Sequence, residues 1–318
     1  MRKVAVLTTG GTIASKQNER GKLEAGVYSG QELAARLGLP DDIEVHIVSM
    51  FQKPSAHISF SDLDAIRDYL EENRKRYNGI VITHGTDTLE ESAYYLDLTV
   101  RNDLPVVLTG SQRSPDELGS DAFINLRHAI YTAAARKMQG VGVTVVFNER
   151  IFAAKYVKKE HASNIQGFNS FGFGYLGIID NDQVSLYQKP LEQEFYQTGH
   201  KEVSVEIVKS YIDAGPHLIK ACIAAKIDGI VLEGLGRGQI HPNMVEAADE
   251  AIRCGIQIII TTSSEEGAVY TTYDYKGSTF DLFNRGAILG RDYDSKKARI
   301  KLVACLKSGE NPEKAFQV

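Results

Sequence analysis

Apolar and β-branched residues fall in short, nearly unbroken runs along this chain, and each run is followed by a longer amphipathic stretch. The runs are 3–8 (KVAVLT), 43–49 (IEVHIVS), 79–83 (GIVIT), 105–109 (PVVLT) and 141–147 (VGVTVVF). Between them lie helical patterns at 29–37, 60–76, 88–99 and 120–137. Continuous apolar strands alternating with amphipathic helices predict a mostly parallel sheet with helices on both faces. A glycine- and aromatic-rich segment, 168–190, reads as loops and short strands, with its aromatics assigned to packing. A polar stretch follows, and the alternation then resumes with VSVEIV (203–208), GIVLE (229–233) and IQIIIT (256–261), and with helices near 216–225, 242–254 and 295–307. The pattern predicts two α/β domains, 1–192 and a smaller 203–318, joined by a linker at 193–202.

Composition narrows the functional classes. The 318 residues suffice for a full hydrophobic core. A net charge of -5, with no Lys/Arg run, argues against nucleic acid as a partner. No apolar stretch reaches the roughly 18 residues that span a membrane. The N-terminus, MRKVAVLTTGG, lacks the h-region and cleavage site of a signal peptide and reads as a strand. Three cysteines without CxxC spacing suggest reduced thiols, so a cytoplasmic protein is expected.

Two of the predicted strands end in small hydroxyl residues and glycine: VLTTGGT at 6–12 and VITHGTDT at 81–88. Ligands of open α/β sheets bind outside the carboxyl ends of the strands. Gly10 and Gly11 permit close approach of a ligand, and Thr12 would project its hydroxyl. Gly85 would turn the chain. Thr88 and Glu91 have the spacing of a capping box, which predicts a helix from about Leu89 and places Thr86 and Asp87 just ahead of its N-terminus. Threonine is a common strand residue and helix cap, so each cluster alone could be structural. Two such clusters at equivalent places in one sheet suggest a site. A threonine hydroxyl needs a base or a cationic partner, and Lys155, Lys158 and Lys159 in AAKYVKKEH are candidates. Neither a phosphate loop, a GxSxG elbow nor HExxH or other metal-ligand spacing occurs, so those chemistries find little support and no metal site is expected. GLGRGQ at 234–239 lacks the full dinucleotide fingerprint. His84 reads as a histidine packed or hydrogen-bonded at a strand end.

These segments resemble the bacterial-type L-asparaginases of the asparaginase/glutaminase family. The likeness rests on LTTGGTIAS (7–15) and GIVITHGTDTLEESAYYLDLTV (79–100), supported by PVVLTGSQR (105–113), SDAFINLRHAI (120–130) and KKARIKL (296–302). It implies hydrolysis of L-asparagine to L-aspartate and ammonia, without a cofactor, through a threonine nucleophile and an acyl-enzyme. By the resemblance, Thr12 matches the nucleophile and Thr86 the second catalytic threonine. Asp87 matches the residue that holds the substrate's α-amino group. Lys159, eleven positions after Asn148, matches the lysine that accompanies Thr86. Gly11 and Ser55 are expected in the substrate pocket. Ala56 stands where glutaminase-active relatives often carry glutamine, so weak activity on glutamine is expected.

One feature departs from the pattern. The family tyrosine on the loop after the first signature falls near Leu23, and the loop 16–32 offers only Tyr28. Tyr28 is one candidate substitute; Tyr270, Tyr273 and Tyr275 are others. Gln239 lies in a glycine-rich loop similar to one that a neighbouring subunit contributes. The long polar loop 16–32 is expected to act as a lid. The resemblance also implies a homodimer or homotetramer. Two other functions compete with a free asparaginase. One is the amidase component of a tRNA-dependent amidotransferase, which would be expected to carry a further N-terminal domain. The other is a non-catalytic amino-acid-binding protein, against which the intact Thr12, Thr86, Asp87 and Lys159 speak.

Overall fold

A computed structural model describes residues 1–10, 15–17, 23–25, 30–191 and 193–317. Its contacts divide the chain into two compact units, Met1–Phe195 and Tyr196–Val318.

The first unit opens on β1 (Arg2–Thr8), followed by the short paired strands β2 (Ser15–Gln17) and β3 (Leu23–Ala25). Then come α1 (Gly30–Arg36), β4 (Ile43–Ser49), α2 (Phe60–Asn73), β5 (Gly79–Thr83), α3 (Leu89–Thr99), β6 (Val106–Thr109), α4 (Ala122–Ala134) and β7 (Val143–Phe147). The unit continues through β8 (Arg150–Ala153), β9 (Lys158–Lys159), β10 (Phe168–Asn169), β11 (Gly177–Asp180) and β12 (Gln183–Leu186). The main sheet has the order β12-β11-β8-β7-β6-β5-β1-β4. From β4 to β7 it is parallel; β8, β11 and β12 extend it antiparallel. Every residue of β5, β6 and β7 is buried, as expected for strands covered on both faces. Each fully buried Val, Leu or Ile among them stabilises the fold by roughly 1.5–3 kcal/mol.

Register sorts these side chains into two layers. Val6, Val81 and Val107 lie in line across β1, β5 and β6, and pack in one cluster with Leu33 and Leu37 of the α1 region and Leu126, Ala129 and Ile130 of α4. Helix α3 packs on β6 and β7 with residues outside that cluster, and α2 lies beside it. Helices α1 and α4 therefore share a face, although β1→β4 and β6→β7 step across the sheet in opposite directions. Those two crossovers have opposite hands, so one of them departs from the near-universal right-handed rule.

Strand order also locates a crevice. After β1 the chain passes to β4 on one side, and β5 then returns to the other. The order reverses at the β1/β5 pair, which is where open α/β sheets bind ligands. Helix α2 begins near this end with a capping box. Ser59 Oγ accepts from the Asp62 backbone N–H, and Asp62 accepts from that of Ser59. Burial alone would raise the Asp62 pKa, but hydrogen bonds from Lys53 and Ser59 hold it below the usual carboxylate value.

The second unit is a four-stranded parallel sheet in sequence order. Its strands are β13 (Val205–Lys209), β14 (Gly229–Gly234), β15 (Gln257–Thr262) and β16 (Ile288–Leu289). Its helices are α5 (His217–Ala225), α6 (Val245–Arg253), α7 (Thr279–Asn284), α8 (Ser295–Ser308) and α9 (Pro312–Ala315). Helix α8 starts on Asp294, whose side chain caps the Lys297 N–H, and ends at Gly309 in the left-handed region. The KKARIKL segment is a packing element here. Lys301 is fully buried, donates to Tyr293 Oη at 3.1 Å, and lies 4.9 and 5.0 Å from the Tyr293 and Phe316 rings.

Candidate active site

The two hydroxyl-rich strand ends are tied to each other. Thr9 donates to the Thr83 carbonyl twice, from its backbone N–H at 3.2 Å and its hydroxyl at 2.9 Å. Thr9 is thus spent on joining β1 to β5. Gly10 follows with φ +125°. A Cβ there would sit 2.2 Å from the Lys53 carbonyl oxygen, so only glycine lets the loop after β4 cross at this point. Lys53 is held there by its N–H to the Thr9 carbonyl at 3.1 Å and by its ammonium to Asp62 at 2.7 Å. Gly11 and Thr12, the next two residues, lie outside the described residues, as does Tyr28.

The crossing loop delivers Ser55, which is buried in a single 3-10 turn, Ser55–His57. Its Oγ accepts from the Asp87 backbone N–H at 3.2 Å, and its carbonyl accepts from the Thr88 hydroxyl at 2.8 Å. That second bond corrects the expected capping box. Helix α3 does start at Leu89, but Thr88 makes no side-chain cap, because its hydroxyl is turned to the Ser55 carbonyl. Gly85 is required by the same approach, since a Cβ there would lie 2.8 Å from Ser55 Oγ.

His84 has a settled structural role. It is buried, with Nδ1 2.7 Å from the Gly85 carbonyl and Nε2 3.0 Å from Ser92 Oγ. A carbonyl only accepts, so Nδ1 carries the proton and Nε2 accepts from the serine. Burial holds its pKa below the ordinary histidine value, against the pull of the Gly85 carbonyl.

Lysine 159 converges on the second cluster. It stands on β9, which pairs with β10, and its Nζ lies 2.9 Å from Thr86 Oγ and 2.7 Å from Asp87 Oδ1. Its backbone N–H donates to the buried carboxylate of Glu90 at 2.6 Å, which anchors the β9 hairpin to the first turn of α3. The lysine side chain is 13% exposed and the aspartate 69%. An ion pair so open on one side adds at most about 1 kcal/mol to stability. Stability therefore does not account for the placement. Of the other candidate lysines, Lys155 lies over the Tyr156 ring and Lys158 over Phe171.

A third strand end joins this cluster without having been singled out in the sequence. Gln112, after β6, brings Oε1 to 3.3 Å from the Thr86 hydroxyl. Its loop is pinned by Asp121, whose carboxylate accepts from the N–H groups of Gln112 and Arg113 and from Asn125 Nδ2, while Asn125 also donates to the Gly110 carbonyl. The signal was present in TGSQR, which ends a neighbouring strand in the same way as the two threonine clusters. Glu90 carried no comparable signal in the sequence.

The remaining predicted residues belong to the second unit. Gln239 is half-buried in the turn after β14 and accepts from Thr279 Oγ at 3.3 Å. Tyr273 is 50% exposed, with its ring 6.0 Å from that of Tyr275. Tyr270 is 56% exposed and carries the Arg237 guanidinium over its ring at 5.1 Å.

The ends of β4, β5 and β6 thus present a serine, a threonine, an aspartate and a glutamine, and the β9 hairpin adds a lysine to them. This set can bind a zwitterion and move a proton at a hydroxyl. Comparison with known proteins agrees with it across the whole length. The family model for the N-terminal domain of asparaginase matches residues 3–192, and that for the glutaminase/asparaginase C-terminal domain matches residues 204–318. The chain is 54% identical over 309 residues to an L-asparaginase of Bacillus licheniformis, covering 96% of each chain. It is 30% identical to L-asparaginase 2 of Bacillus subtilis, over 98% of this chain and 84% of that one. It is 31% identical to a probable L-asparaginase of Deinococcus radiodurans, over 98% and 95%. With a site at the sheet's switch point and both family domains matched in order, this chain belongs to the asparaginase family.

Proposed function

We propose that the protein hydrolyses L-asparagine to L-aspartate and ammonia, with Thr12 as nucleophile and Thr86, Asp87 and Lys159 completing the catalytic group. The observation that carries this reading is the Lys159 ammonium, 2.9 Å from Thr86 Oγ and 2.7 Å from Asp87 at the end of β5. In this scheme the Thr12 hydroxyl attacks the side-chain carbonyl of asparagine. The tetrahedral oxyanion collapses, the C–N bond breaks, and ammonia leaves with a proton relayed through Thr86 and Lys159. Water then cleaves the resulting ester, releasing aspartate and restoring the Thr12 hydroxyl. Asp87, with most of its carboxylate surface open, holds the substrate ammonium. Ser55 and the Gly11 backbone line the pocket, so charged groups remote from the amide supply the energy that orients it.

Ala56, exposed beside Ser55, offers no hydrogen bond to a longer substrate, and activity on glutamine is weak. Tyr28 belongs to a lid over the pocket. Tyr273 and Gln239 are auxiliary groups supplied by a neighbouring copy, so the protein is a homodimer or homotetramer. Among the described residues no helix is long and apolar enough to cross a membrane; the proposed compartment is the cytoplasm.

Ammonia release from asparagine by the purified chain alone tests the reaction, and no release would overturn it. Thr12→Ala should abolish turnover while leaving the melting temperature unchanged; retained turnover would remove Thr12 from the scheme. A kcat/KM for glutamine near that for asparagine would contradict the role given to Ala56. Light scattering that finds a monomer at assay concentration would remove the neighbouring copy.

A further inference from the structure

Among the described residues the hydroxyl of Thr86 has two hydrogen-bond partners, and in the resting site only one of them accepts. Lys159 Nζ, at 2.9 Å, is a donor. Gln112 Oε1, at 3.3 Å, is an acceptor. The Lys159 ammonium therefore occupies a lone pair of Thr86 Oγ, and the Thr86 O–H is directed at the Gln112 amide.

Two contacts hold that residue in place. Its backbone is fixed, because Asp121 accepts from the N–H groups of Gln112 and Arg113 at 3.0–3.1 Å. Its outer end is fixed by Gly167, next to β10 on the hairpin that carries Lys159. A Cβ on Gly167 would lie 2.1 Å from Gln112 Nε2, so the amide fills the space that this glycine leaves. Finally, Nε2 is buried and has no hydrogen-bond partner among the described residues. A buried donor left unpaired costs stability. The oxygen end is the one that meets Thr86. The same Gln112 amide thus touches both the threonine and the hairpin that brings the lysine to it.

We infer that Gln112 is a positioning residue that sets the direction of the Thr86 hydroxyl proton and keeps the Thr86–Lys159 pair in register. This rests on the proposed role of Thr86 in proton relay. Gln112 acts through Thr86 and through the Gly167 contact. Its buried Nε2 does not present itself to substrate.

The test compares Gln112→Met, which keeps the length but has no strong acceptor, with Gln112→Glu, which keeps an acceptor oxygen at the same place. Expected for Gln112→Met is a kcat for asparagine at least tenfold lower, with KM within threefold and the melting temperature within about 2 °C of wild type. Gln112→Glu should recover at least a third of the wild-type kcat. Should Gln112→Met fail to fold, Gly167→Ala addresses the same amide from the other side, and it should lower kcat tenfold with KM unchanged. Equal turnover by Gln112→Met and wild type would overturn the inference. So would Gln112→Glu falling as low as Gln112→Met, or Gly167→Ala at full turnover. Wild type and Thr86→Ala serve as references. No ammonia from wild type, or full activity in Thr86→Ala, would instead defeat the underlying reading of the site.

Discussion

Gly10→Ala probes the point where the two halves of the site are locked together. The backbone at Gly10 has φ +125°, a conformation that glycine adopts and alanine resists. Strain of this kind costs roughly 1–3 kcal/mol. In addition, the new methyl would stand 2.2 Å from the Lys53 carbonyl oxygen and 2.8 Å from its nitrogen. Both are backbone atoms, so the loop must retreat by roughly 1 Å to reach van der Waals separation. That retreat weakens the bond from Lys53 N–H to the Thr9 carbonyl, worth about 1 kcal/mol. The sum is about 2–4 kcal/mol, or about 6–12 °C in melting temperature for a unit of this size. The same movement carries Ser55, two residues on, away from the Asp87 N–H, so KM for asparagine should rise about tenfold. Gly140→Ala is the control: φ there is +73° and nothing lies within 4 Å of the added methyl. It should cost only the backbone term, about 1–2 kcal/mol, and leave KM alone. Thermal melts and steady-state kinetics on both variants decide the matter. If Gly10→Ala melts with Gly140→Ala and binds asparagine as wild type does, the Lys53 crossing does not hold the pocket.

Lys159→Met should lower kcat by about 10²–10⁴ while shifting stability by no more than about 1 kcal/mol, because its partner Asp87 is largely exposed; a collapse in melting temperature would make the lysine structural. Thr88→Val removes the bond to the Ser55 carbonyl; a loss of about 1 kcal/mol together with a raised KM is expected, and an unchanged KM would separate Thr88 from the pocket. His84 and His128 both have pKa values held below the ordinary 6.5 by burial. Above that pH both states are neutral and the fold keeps its full stability. As pH falls below it, the unfolded chain takes up protons that the folded chain refuses, so stability declines toward the lowered folded pKa by up to about 1.4 kcal/mol per pH unit per histidine. Urea unfolding between pH 7 and 5 measures this, and a flat profile would contradict the neutral, buried imidazoles.

Much of the fold could be read along the chain because its strands are covered on both faces. Strand runs predicted at 43–49 and 79–83 coincide with β4 and β5, and the helix expected near Leu89 starts there. Less visible were strands whose pairing is nonlocal and short. The antiparallel addition of β8 and β11, and the two-residue β9 that carries Lys159, have too few residues to show a period. The capping box at Thr88 and Glu91 was a sound local pattern. It lost to a longer-range acceptor, the Ser55 carbonyl, which comes from a loop about thirty residues earlier.

The sequence by itself determined the kinds of elements, their order, and the two places where strands end in hydroxyl and glycine. Local chemistry suffices for this, since apolar runs must be buried and glycine marks tight backbone. Tertiary structure decided which threonine is spent on joining strands, and it brought to Thr86 the lysine that the resemblance had singled out. It also decided that Gln112 enters the site and that the crossovers through α1 and α4 share a face. Each of these depends on which residues distant in sequence are brought within about 3 Å. That proximity is set by strand order and crossover hand, which no local periodicity encodes.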